Sequence, residues 1–363
     1  MSQSDGREAF PGAADLPPVS ESAIRAFSEA LPKLLSLVND KFAVDERVLK
    51  KQQPEDLKFI YDAHHHFGDM LRAVYEFDLY DHMLGEFAWY VSALSSRGFK
   101  ESYFRKMVEA WMIAIHSSIR PPESGELTVS LEYLCRHLHA AYSAPGAEAA
   151  PLGSEAKHFL GLLLDNKRTD AAEYVLERLA GGDRVERLYS GMLLPALNKV
   201  GLLWQRNKIS VADEHAATEI LRYVLFRLID TLPRKNQFGM RALVACVPGE
   251  EHDVGAHMAS GLLRAEGWDV VYVGRSAPEE EIVKALDSSR PQMAVFSVSL
   301  IARLPAARDL FVTVRGRFAG TGIITGGRAA VAARAVLEKY VDAVVEGLED
   351  LHETALRLVG KDA

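Results

Sequence analysis

Between residues 19 and 142, apolar side chains recur at intervals of three and four, as in Leu84, Phe87, Ala88, Val91 and Leu94, and again in Phe104, Met107, Val108, Trp111, Met112 and Ile115. That spacing lines one face of a helix, and no alternating strand pattern competes with it, so an all-helical domain of globin size is predicted. The periodicity resumes over 154–235 through Phe159, Leu160 and Leu163, then Ala172, Val175, Leu176 and Leu179, then Leu188, Met192, Leu193, Leu197 and Val200, then Ala217, Ile220, Leu221, Val224, Leu225 and Leu228. Four helices with short loops predict a four-helix bundle. From Arg241 the pattern changes to five short β-rich runs, 242–247, 270–273, 293–297, 323–325 and 343–345, with helical stretches between them. Over 238–363 this alternation predicts a flavodoxin-like, doubly wound parallel sheet, whose ligands bind beyond the carboxyl ends of the strands. The fold class is therefore α + α/β, and the loop after the first strand is where chemistry is expected.

Two stretches interrupt the pattern. Residues 1–18 carry Gly6, Pro11, Gly12, Pro17 and Pro18 among small side chains, too little apolar surface to offset the entropy of ordering, and predict a disordered tail. The run 143–153, rich in Ala, Pro and Gly, predicts a linker between the two helical regions. Of the 363 residues 48% are hydrophobic and 25% charged, and no apolar run reaches the roughly 18 residues of a membrane span. A formal charge of -8 gives no general attraction for nucleic acid. There is no basic-then-apolar leader, and two cysteines cannot form a disulfide framework, so a cytoplasmic protein is expected.

The loop after the first strand reads Pro248-Gly249-Glu250-Glu251-His252-Asp253-Val254-Gly255. It resembles the Asp-x-His-x-x-Gly signature of base-off, histidine-on cobalamin domains, with Glu250, His252 and Gly255 at the three fixed positions. The resemblance implies that His252 ligates cobalt while Glu250, on the other ring nitrogen, fixes the tautomer and raises basicity. Glu in place of Asp lengthens that arm by one methylene. Gly255 would let the helix start approach the displaced nucleotide tail, and Asp253, within the motif, is a further cofactor-binding candidate. Family features after the third and fourth strands have counterparts in Ser297, Ser299 and Leu300 and in Gly326-Gly327, although Ser299 stands where a leucine is expected. Serine hydroxyls can bond the tail base and paired glycines allow close backbone approach.

In the bundle, Trp204, Val211, Glu214 and His215 resemble the Trp-x9-Glu-His cap of the light-sensing adenosylcobalamin domains found in bacterial carotenoid-gene repressors. The resemblance implies an indole packed on the 5'-deoxyadenosyl group, with the acid and histidine flanking it. A second reading of the same stretch makes Trp204 core and Ser210, Asp213 and Glu214 a helix cap. The histidine that follows the tryptophan in the best-known repressors is Gln205 here, so the bis-histidine photoproduct is not implied.

Residues 19–142 show no compact basic recognition helix, so a repressor is not expected and nucleic acid is not an expected partner. An aromatic helical domain joined to a cobalamin light sensor is similar in architecture to the photocobilins, which implies biliverdin as a second chromophore. Arg72, Arg97, Lys100, Arg105 and Lys106 are candidates for its propionates. His64-His65-His66 point about 100° apart on a helix, so at most one of them is a ligand. Altogether the sequence points to a non-enzymatic photoreceptor that binds adenosylcobalamin, with light-dependent homo-oligomeric assembly and signal transduction to an unknown downstream protein. The alternative is a corrinoid methyl carrier of a methyltransferase system.

Overall fold

The computed structural model describes residues 16–44, 54–143, 151–232, 235 and 239–360. Most of the expected tail and linker, residues 1–15 and 144–150, lies outside them. The chain divides into two compact units, Met1–Gly146 and Ala147–Ala363.

In the first unit the described residues form α1 (Glu21–Val44), α2 (Pro54–Phe77), α3 (Tyr80–Ser95), α4 (Glu101–Ser118) and α5 (Glu123–Ser143), with α4 against α1 and α5, and α3 against α5. The aromatic positions face inward: Phe27, Phe67, Phe77, Phe87, Phe104 and Trp111 are fully buried, and rings meet at 4.7 Å (Phe99 and Tyr103) and 5.1 Å (Phe27 and Tyr75). Gly68 makes room for this packing, since a Cβ there would lie 2.6 Å from the Trp111 ring. As the helical geometry requires, the three consecutive histidines diverge: His64 is buried, while His65 reaches Asp69 on the surface. Among the described residues no three His, Cys, Asp or Glu side chains gather as a metal site.

The second unit opens with the expected bundle: α6 (Ser154–Leu164), α7 (Arg168–Ala180), a third helix in two parts, α8 (Val185–Leu188) and α9 (Leu194–Gln205), and α10 (Val211–Thr231). The third helix is joined by a π turn, Tyr189–Leu193. Pro195 has no N–H to give the Gly191 carbonyl, and Leu194 N–H reaches back to Tyr189 O instead. The capping box is present, Ser210 and Asp213 each accepting the other's backbone N–H.

All five expected strands form: β1 (Arg241–Cys246), β2 (Asp269–Gly274), β3 (Met293–Ser297), β4 (Gly322–Gly326) and β5 (Ala343–Val345). They pair in parallel in the order β2-β1-β3-β4-β5, the flavodoxin-like order, with its switch point between β1 and β3. The register sets Cys246 opposite Ser297 and Ser297 opposite Gly326, so three loops leave the sheet at one level. Around the sheet lie α11 (Val254–Ala265), α12 (Glu279–Ser289), α13 (Leu304–Arg317), two short helices α14 (Arg328–Ala332) and α15 (Arg334–Leu337), and α16 (Leu351–Val359). Helix α11 serves two cores: Val254, Met258 and Leu262 complete the bundle interior, while Ala256, Ala259 and Leu263 pack on the strands. No described helix is long and apolar enough to cross a membrane.

Candidate functional site

The loop between β1 and α11 is built around one buried carboxylate. Glu250 is 0% exposed, and its Oε1 accepts from the backbone N–H of His252 at 3.0 Å and lies 2.6 Å from His252 Nδ1. Its Oε2 accepts from the backbone N–H groups of Ser299 and Leu300, at 2.8 and 3.0 Å, in the loop after β3. Burial alone would raise this carboxyl; the hydrogen bonds from the His252 side chain and backbone and from Ser299 outweigh it and hold the group below the usual carboxylate range. An ionised Glu250 can only accept, so Nδ1 of His252 carries a hydrogen, and in the neutral ring it is Nε2 that keeps the lone pair. The extra methylene of Glu relative to Asp therefore does not break the direct contact. The His252 side chain is 60% exposed, so the ring is anchored at one nitrogen and presented at the other. That donor arrangement would suit His252 as the one protein ligand to the cobalt of a corrinoid, with Glu250 orienting it.

The neighbouring loops close on the same point. A Cβ on Gly255 would lie 3.8 Å from Ser297 Oγ, so the start of α11 runs beside the end of β3. Gly327 has φ +106, and a Cβ there would meet Val298 O at 2.5 Å; one on Gly326 would lie 2.9 Å from Val345 Cγ2 and 3.3 Å from Val345 O. The close approach that these glycines allow is taken up here by backbone of the adjoining loop and strand. Asp253 is buried, and its Oδ1 accepts from both Nε and Nη2 of Arg222 in α10, at 3.0 and 2.9 Å, an ion pair between bundle and sheet. The sequence reading missed Arg222, Arg303 beside Gly249, and the hold of Glu250 on the β3 loop. Arg222 could have been found: it lies two helical steps of four beyond Glu214, on the same face.

In the bundle, Trp204 stands half-buried in the last turn of α9. Glu214 and His215 sit in the first turn of α10, after a turn with Asn207 at φ 53. Glu214 lies 2.6 Å from His215 Nδ1 through one oxygen and accepts from Thr218 Oγ1 at 2.9 Å through the other. Each oxygen retains a lone pair for a further donor. Val211 is 51% exposed and Gln205 is buried.

Residues 240–357 match a family model described as a B12 binding domain, and residues 156–229 match a second model described in the same words. The HTH-type transcriptional repressor CarH of Myxococcus xanthus is 28% identical over 165 residues, 45% of this chain and 54% of the repressor. CarA, a repressor from the same organism, is 32% identical over 113 residues, 31% of this chain and 37% of its own length. Dimethylamine corrinoid protein 1 of Methanosarcina acetivorans is 23% identical over 145 residues, 39% of this chain and 68% of that protein. The chain thus spans about half, or less, of the two repressors it matches. The second unit of the chain, from bundle to sheet, is thus the part that is similar to B12 binding domains.

Proposed function

We propose that the chain is a photoreceptor with adenosylcobalamin as chromophore, built from a helical sensor or assembly domain (19–142), a linker (143–153), a cap (154–235) and a cobalamin-binding sheet (238–363). The observation that carries this reading is the placement of Trp204, half-buried in the last turn of α9, just ahead of the paired Glu214 and His215 in the first turn of α10. His252, oriented by Glu250, would be the cobalt ligand, with Gly255, Ser297, Ser299, Gly326 and Gly327 around the tail and Asp253 bracing the loop. The matches to CarH and CarA support a module of the repressor type. When bound, adenosylcobalamin supplies a cobalt–carbon bond that light breaks; Trp204 and Glu214 hold the adenosyl side, and its loss would repack the cap. The output is a change in homo-oligomeric assembly read by a downstream protein, without catalysis.

The test is a visible spectrum and a scattering profile of the purified protein with adenosylcobalamin, in darkness and after illumination. Both should change on illumination, methylcobalamin should not reproduce the dark assembly, and Trp204→Ala should blunt the difference by removing about 2 kcal/mol of burial. His252→Ala should shift the bound spectrum and weaken binding tenfold or more. Identical scattering with both cofactors, before and after light, would favour a methyl carrier, the reading that the match to the dimethylamine corrinoid protein supports.

Biliverdin in residues 19–142 is an extension of this proposal that rests on architecture. Its aromatic positions pack on one another, and two of its candidate cations are engaged, Arg72 with Glu76 and Arg105 with Glu101. Titration with biliverdin decides: a saturable far-red band near one equivalent supports the second chromophore, and its absence leaves an assembly domain.

A further inference from the structure

Arg303 closes the short 3-10 turn Ile301–Arg303 after β3, and its guanidinium lies along the loop that carries His252. A Cβ added to Gly249 would stand 3.2 Å from its Nη1 and 3.4 Å from its Cζ. Gly249 also has φ +74, a backbone conformation that favours glycine. The Nε of Arg303 is buried and has no hydrogen-bond partner, and among the described residues no carboxylate pairs with its charge. The nearby acids are committed elsewhere: Glu250 to His252, Ser299 and Leu300, and Glu251 to Ser276 and Arg275. The arginine on the neighbouring strut, Arg222, has its carboxylate in Asp253. A cation partly withdrawn from water without an acceptor is unfavourable unless a ligand brings one.

We propose that Arg303 is a binding residue for the corrinoid, donating its guanidinium N–H groups to an acceptor oxygen of the ligand. Its place at the β1/β3 switch point, on the loop that also presents Ser299 to Glu250, puts the fork at the mouth where ligands of such sheets bind. A cobalamin carries two kinds of acceptor oxygen, the anionic phosphodiester of the nucleotide tail and the amide carbonyls at the ring periphery. A planar fork suits either, and the charge-assisted bond to phosphate is the stronger. The inference rests on the cobalamin reading and goes beyond it by naming what recognises the ligand's oxygens.

The experiment measures equilibrium binding of cobalamin and of cobinamide, which lacks the nucleotide tail, to the full chain and to Arg303→Ala, with Arg303→Gln as a second variant that keeps most of the stem and removes the charge. Thermal melting of each ligand-free variant checks that it folds. If Arg303 meets the phosphodiester, cobalamin binding weakens about tenfold or more while cobinamide binding is unchanged, and the loss shrinks at high salt. Equal weakening for both ligands assigns it to a ring amide and also supports the proposal. Folded variants that bind both ligands like the wild type overturn it. A wild-type chain that binds neither ligand removes the cobalamin reading itself, a result distinct from either.

Discussion

His64 shows how a single side chain can tie the stability of the helical unit to pH. Its Nδ1 lies 2.8 Å from Asn39 Oδ1 and its Nε2 3.1 Å from the Tyr103 hydroxyl, with the Phe42 ring at 4.7 Å. The amide oxygen can only accept, so the ring is neutral, with the hydrogen on Nδ1 and Nε2 accepting from Tyr103. Burial pushes this imidazole down to about 4 from an ordinary 6.5. Below 6.5 the unfolded chain takes up the proton first, so the contribution of His64 is fully present above that pH and is lost as the pH falls towards 4. The full span amounts to about 3 kcal/mol. The protection of the α2 and α4 amides, taken relative to the intrinsic exchange rate at each pH, should therefore fall between pH 6.5 and 4.5, and His64→Gln should flatten that dependence; equal slopes in both proteins would show that His64 is not responsible. The sequence established that the three histidines diverge, because that follows from helical spacing. Which one turns inward was not legible, because Asn39 and Tyr103 lie far away along the chain. The same limit applied at the loop: Glu250 beside His252 was readable from local spacing, whereas its grip on Ser299 and Leu300 needed the β1/β3 register.

At the scale of elements, α11 couples the two halves of the second unit, with one side in the bundle core and the other on the sheet. It begins two residues after His252, and the Arg222–Asp253 pair ties its first turn to α10. With side-chain exposures of 18% and 12%, this pair is largely shielded from solvent, and removing one member leaves a poorly hydrated charge. Asp253→Asn should cost about 1–3 kcal/mol, read as a lower denaturation midpoint of the cobalamin-free protein. The double variant with Arg222→Met should be no worse than the sum less the coupling of the pair, and strict additivity would show that the two do not act together. The strands were legible because buried parallel strands are short continuous apolar runs bounded by loops. The third bundle helix was legible only as periodicity. Its π turn depends on which carbonyl Pro195 leaves without a donor, a detail of hydrogen bonding that apolar spacing does not carry.

At the scale of the molecule, a helical unit with its own aromatic core precedes a cap and sheet that form one body with a shared helix. The first unit's use was least legible, because closely packed aromatic side chains serve a core and a pigment pocket alike. The second unit's use was most legible, because its loops carry chemistry at fixed distances from the strand ends. Glu250 joins the loops after β1 and β3 through four hydrogen bonds made entirely within the protein. None of these bonds draws on a ligand atom, so on the cobalamin proposal capture would need no slow remodelling of the backbone. In stopped-flow mixing the observed rate should rise in proportion to cobalamin concentration without levelling off, whereas Glu250→Gln, which turns an acceptor into a donor towards Ser299 and Leu300, should introduce a plateau. A plateau already present in the unaltered protein would mean that the loops wait for the ligand, and that the pace of capture is set by their own ordering.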